Sequence, residues 1–216
     1  MAEDSTPETV RPLQDVWLRP RRVARELASA PIGRADYLLG AAQGVLNWLV
    51  LSRVQSVGAS AGVATILGRA LIAGPIAGLL GMYLMAAVYL RLGRRVGGSA
   101  TRAQIMHVLA YSGVPMLASL LLWLLTAGLA GRAVFLASPG AGLEPFVLLV
   151  LRLQIVVHGV LVGWSLLLQV MGLSEAERLP IGRAFGIWVL GQALVLLALL
   201  LLRILLLSVL AHPLHP

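Results

Sequence analysis

Four polar side chains, Gln154, His158, Ser165 and Gln169, together with Arg152, interrupt an otherwise apolar run from Phe146 to Met171. At 100° per residue those four fall within about 60° of one helix face. Two amides, an imidazole and a hydroxyl on such a stripe have two uses inside a bilayer. They can bond to neighbouring helices, at ~0.6–2 kcal/mol per contact, or they can line a path for a polar solute. Both readings stay open, with bonding between helices preferred. Arg152 lies nearly opposite, close enough to a membrane surface to snorkel or to meet Glu144.

The remaining chemistry is restricted by what the chain lacks. The nine acids (Glu3, Asp4, Glu8, Asp15, Glu26, Asp36, Glu144, Glu175 and Glu177) all fall in tails, loops or at the ends of apolar runs. Proton-coupled transport normally uses a carboxylate within the membrane, and glycoside-type hydrolysis uses two; this placement argues against both. There is no Cys, which excludes disulfides, thiolate nucleophiles and zinc–cysteine sites. His107, His158, His212 and His215 form no ligand set at helical spacing. His212 and His215 flank Pro213, but no metal site is assigned to them. No Ser is arranged with a His and an acid as a nucleophile requires. Gly97-Gly98 before Ser99 is only superficially like a phosphate loop, since no strand precedes it. It reads as a turn, with Ser99 or Thr101 capping the helix that follows. No catalytic residue is assigned, no cofactor is expected, and the chain reads as non-enzymatic.

Composition supplies the surroundings for these residues. Of the 216 residues, 59% are hydrophobic and 12% charged, and the mean hydropathy is +0.89. A soluble domain carries about a quarter charged residues, so the expected class is all-α and polytopic in a membrane. Five transmembrane helices are expected: Asp36–Leu51, Ala70–Leu90, Gln104–Gly131, Phe146–Met171 and Ala184–Leu202, the last with an apolar tail to Ala211. Pro115 should kink the third span, with Ser112 or Tyr111 satisfying a freed carbonyl. Small residues four apart mark helix faces that permit close backbone approach: Gly40 and Gly44, Gly74 and Gly78, Gly159 and Gly163, Gly182 and Gly186. These faces serve packing within the chain or a second copy.

Residues 1–12 read as a disordered tail and 212–216 as a C-terminal tail, with 35–211 as the membrane domain. The start lacks a basic end, an apolar core and a cleavage site, so it is not read as a signal peptide, and the first span is its own insertion signal. Between them, 13–34 is an amphipathic interfacial segment, helical from about Pro20 to Ala30, with Trp17 as a headgroup-level anchor. Its Arg19, Arg21, Arg22 and Arg25 would contact anionic headgroups, as would Arg91, Arg94, Arg95 and Arg102. All 17 basic residues are Arg. A net charge of +8 would suggest nucleic acid for a soluble chain; here lipid headgroups are nearer, and no nucleic-acid partner is expected. More Arg falls on the side of the N-terminus, so the positive-inside rule places it in the cytoplasm and, with an odd number of spans, the C-terminus in the periplasm.

The order of motifs also resembles a known family. Pro20-Arg21-Arg22 opens the segment, and the second span ends in Arg-Leu-Gly-Arg-Arg-Val-Gly-Gly (Arg91 to Gly98). Thr101, Arg102 and Gln104 lead into Ala110-Tyr111-Ser112 and Pro115; Gly163-Trp164 and the loop Gly172 to Phe185 follow. This is similar to the bacterial branch of the Yip family, whose eukaryotic members interact with Rab GTPases, over about Pro20 to Leu202. Tyr111, Ser112, Pro115, Gly97 and Gly98 carry the most specific part. The resemblance implies five spans in a bacterial inner membrane, a cytosolic N-terminus, no enzymatic activity, and a role in membrane organisation or in binding lipid or protein partners. The family's Asp-Leu-Tyr-Gly-Pro element is reduced here to Asp36-Tyr37 followed by Gly40, which leaves Rab-type binding without support. Two alternatives stand beside this: a transporter or channel for a small solute or lipid using the polar face of the fourth span, and an accessory subunit of a larger membrane complex.

Overall fold

A computed structural model describes residues 12–27, 30–138 and 143–211 of the chain. Of the tails expected over residues 1–12 and 212–216, residues 1–11 and 212–216, with His212 and His215, lie outside them, and Pro12 opens a helix. Among the described residues every regular element is helical. They are α1 (Pro12–Asp15), α2 (Pro20–Leu27), α3 (Arg34–Val54), α4 (Val63–Arg95), α5 (Arg102–Ser112), α6 (Val114–Ala130), α7 (Pro145–Glu177) and α8 (Ile181–Ala211), with short 3₁₀ turns at Val57–Ala59 and Gly131–Phe135.

The expected count of five spans is corrected to four. Among the described residues, Val63–Arg95, Arg102–Phe135, Pro145–Glu177 and Ile181–Leu205 are long and apolar enough to cross a membrane. The first expected span, Asp36–Leu51, does form a helix within α3. At 21 residues it is about 31 Å long, but Asp36, Gln43, Asn47, Ser52 and Arg53 make it too polar to qualify. The odd-number support for placing the two chain ends on opposite sides falls with it. The chain is a helical membrane protein with four such helices and a more polar helix, α3, packed along α4.

Glycine explains how α3 and α4 meet. A Cβ on Gly44 would run into the Gly74 carbonyl and the Gly78 backbone, and one on Gly78 would strike the Gly40 carbonyl. The two backbones touch, so dispersion and backbone dipoles hold the pair where lipid offers no hydrophobic gain. The other expected pairs behave differently: Gly159, Gly163, Gly182 and Gly186 have nothing within 4 Å of the place a Cβ would take. They do not pack helices of this chain together.

Apolar side chains form two buried clusters. One gathers Val16 and Val23 with Tyr89, Ile105, Met106 and Leu173. The other gathers Leu46, Leu49, Ile66, Trp123, Phe135 and Leu151 around the two 3₁₀ turns. Outside them, Leu121 is 74% exposed and Leu196 67%. Such a surface suits acyl chains and would aggregate in water.

Candidate functional site

Between the two clusters the third apolar helix is interrupted. α5 ends at Ser112, Gly113 caps it, and α6 starts at Val114 with Pro115 buried in its first turn. The break therefore lies two residues before the proline, which is tolerated there because a first-turn N–H has no partner to lose. An interruption in a bundle exposes carbonyls on one side and N–H groups on the other, and lipid satisfies neither. Here side chains do so, two of them from other helices. Gln43 of α3 donates through Nε2 to the Ala110 carbonyl at 2.7 Å. Ser165 of α7 accepts the Met116 N–H at 3.2 Å. Ser112 donates to the Leu109 carbonyl at 3.4 Å. Tyr111 is not used as a cap; its ring leans on His107 with centroids 6.4 Å apart.

The break opens a cleft of about 310 Å³. Gln43, Asn47, Ser112, Ser165, Gln169 and Gln192 supply its polar walls, Met82 and Val162 part of the remainder, and no charged residue lines it. Such a cleft can take a group that is polar, uncharged and able to accept or donate several hydrogen bonds.

The stripe on α7 divides between this cleft and a second region. Ser165 and Gln169 face the cleft, and Gln169 Oε1 accepts the Trp188 indole N–H at 2.9 Å. His158 Nδ1 lies 2.9 Å from Ser119 Oγ on α6. Gln154 Oε1 accepts from Arg53 Nη1 at 3.2 Å, and the Arg53 guanidinium lies 5.9 Å from the centroid of the Trp123 ring. Burial lowers the Arg53 pKa from the ordinary guanidinium value, yet such a group stays charged. All four stripe residues thus bond to other helices.

Two carboxylates expected at span ends are buried, Asp36 at 2% exposure and Glu177 at 1%. Asp36 Oδ1 lies 2.6 Å from His107 Nδ1, and Asp36 Oδ2 accepts the Gly33 N–H at 2.8 Å. His107 Nε2 sits 3.2 Å from the Ala30 carbonyl. One imidazole thereby ties the start of α3 and the strand of chain before it to α5. Glu177 serves the glycine turn. Its Oε2 accepts the Ala100 N–H at 3.0 Å, and a Cβ on Gly93 or Gly98 would collide with its carboxylate. Gly97 makes the turn at φ +86°, and Thr101 with Gln104 then closes a capping box on α5.

The basic residues gather near this end. α2 packs through Val23, and Arg21 lies 3.6 Å from Glu175. Arg22 pairs with Glu26 at 3.2 Å, and Arg25 donates to the Arg21 carbonyl. Trp17 packs against the apolar cluster beside Val16 and Val23. Arg19, Arg91, Arg94, Arg95 and Arg102 are exposed. Sequence reasoning missed Gln43, the Asp36–His107 pair and the Glu177 contact. A Gln one turn after Gly40 and next to Gly44 in an apolar run was the available signal for the first. Among the described residues, no three of His, Asp and Glu come together as metal ligands would. Comparison with protein families, with curated proteins and with solved structures finds no match.

Proposed function

We propose that the chain is a non-enzymatic membrane protein that binds lipid, with the cleft at the α5–α6 break receiving the uncharged polar part of a lipid molecule. The single observation behind this is the cleft itself: amides and hydroxyls facing about 310 Å³ with no charge among them. Polar groups at membrane depth are expensive without partners, and ester or hydroxyl oxygens of a lipid match them. Membrane organisation of the kind the Yip-like motifs imply is the corresponding cellular role. The end carrying Arg91, Arg94, Arg95 and Arg102 would face the cytoplasm of a bacterial inner membrane, with α2 at the anionic headgroups.

Lipid identification tests it. Native mass spectrometry of protein released from membranes should show one lipid retained by the wild type and lost in Asn47→Leu/Gln192→Leu. Equal lipid loss from both, or none retained by either, would contradict the reading.

A second reading is passage of a small uncharged solute, favoured by the interrupted helix, since transporter sites are built at such breaks. The cleft and the cavity beside His158 share no lining residue, which favours binding over a continuous path. Flux of glycerol or urea into proteoliposomes would promote this reading over the first. The third, an accessory subunit, draws on the open faces at Gly159, Gly163, Gly182 and Gly186; the mass of the native complex decides it.

A further inference from the structure

Three residues from α3, α6 and α7, each with an unpartnered donor, line one cavity. Arg53 Nη2, Gln154 Nε2 and Trp123 Nε1 are each buried and have no hydrogen-bond partner among the described residues. Gln154 is 2% exposed and Trp123 3%. All three residues line one cavity of about 410 Å³, together with Val50, Ile155 and His158. No described carboxylate pairs with Arg53. Gln154 Oε1 occupies one guanidinium nitrogen and the Trp123 face lies against the cation, but neither serves Nη2. A buried N–H without an acceptor is costly, and an unpaired charge in an apolar wall more so. The arrangement is rich in donors and lacks one anion.

We propose that Arg53, Gln154 and Trp123 form a binding site for a phosphate or carboxylate group. Two oxygens of one anion can take the Arg53 Nη2 and Gln154 Nε2 hydrogens, one charge-assisted contact beside one neutral contact. Trp123 Nε1 supplies a neutral third donor. Apart from His158, the rest of the cavity wall is apolar, with Val50, Val54 and Ile155 among its residues, so the anion can be the head of a lipid or a soluble acid entering from the membrane surface. Arg53 lies in the last turn of α3, next to the connecting turns, where either source reaches it. This site does not depend on the reading of the neutral cleft.

The test uses the full chain in nanodiscs of a phosphate-free glycolipid, digalactosyldiacylglycerol. In one arm phosphatidylglycerol is added and retained lipid is weighed by native mass spectrometry. In the other, inorganic phosphate or acetate is titrated and thermal stabilisation is followed. Selective retention of phosphatidylglycerol identifies a lipid anion; saturable stabilisation by the free anions identifies a soluble one. Either should weaken about tenfold or more in Arg53→Gln, as loss of a charge-assisted contact implies. Trp123→Phe keeps the ring beside Phe135, removes one donor, and should weaken binding about threefold; it carries the test if Arg53→Gln loses its helical spectrum. The proposal is overturned if neither anion source binds, or if both variants bind as well as the wild type.

Discussion

Gly113 and Gln43 fit against one another. A Cβ at Gly113 would strike the Gln43 amide, and that amide holds the Ala110 carbonyl at 2.7 Å. The smallest residue at the helix break thus makes room for the side chain that repairs it. Gly113→Ala should displace Gln43 and Gln43→Leu should remove the donor, each destabilising the protein by ~1–2 kcal/mol. The double variant should cost little more than either alone. Denaturation in bicelles measures this; additive losses would show that the two residues act separately.

Glycine spacing has consequences at one pair of helices and none at the others. Gly44→Val should push α3 from α4, lowering stability by ~1–3 kcal/mol or more. Gly159→Ala and Gly163→Ala enter open space and should fall within about 0.5 kcal/mol of the wild type in the monomer. A large loss at Gly159 would mean that its face is covered in the protein under test.

What the sequence reveals and what it hides divide along physical lines. The runs of α4, α7 and α8 are long and strongly apolar, so their existence follows from hydropathy alone. α3 is different. Its polar residues, Asp36, Gln43 and Arg53, serve partners on α5 and α7 that are remote in the chain, and hydropathy cannot see a partner. The GxxxG-like spacing recurs in four helices, but spacing does not say which face is covered; of those eight glycines, Gly40, Gly44, Gly74 and Gly78 meet other backbone or side chains of this bundle and the other four do not. Pro115 signals a bend, yet the break falls at Gly113 because proline belongs in the first turn of α6. Glu177 and Asp36 sit near helix ends, as their positions imply. Burial there is set by the glycine turn and by His107, neither of which is local to the acid.

The Asp36–His107 contact joins elements 71 residues apart in sequence. Asp36→Asn and His107→Gln should each be strongly destabilising, by about 3 kcal/mol where a buried partner is left alone. The double variant should recover part of that loss. A coupling energy near zero in the double-mutant cycle would show that the pair does not hold α3 to α5.

Labelling from outside a sealed vesicle should separate the two ends of α4. The chain has no Cys, so Val96→Cys and Ala59→Cys each carry a unique thiol at an exposed position. An impermeant maleimide should reach one and not the other in vesicles of uniform orientation. Equal reaction at both would contradict a membrane-crossing α4.

Photo-crosslinking from the cleft tests the proposed binding most directly. A benzophenone amino acid is placed at Val162, which lines the cleft, and separately at Leu121, which faces outward at 74% exposure. In vesicles of mixed lipids, Leu121 should capture lipids in proportion to their abundance. Val162 should capture one lipid class far above its share, and lose that enrichment in Asn47→Leu/Gln192→Leu. Identical lipid profiles at the two positions, or no lipid at Val162, would contradict a selective lipid site at the α5–α6 break.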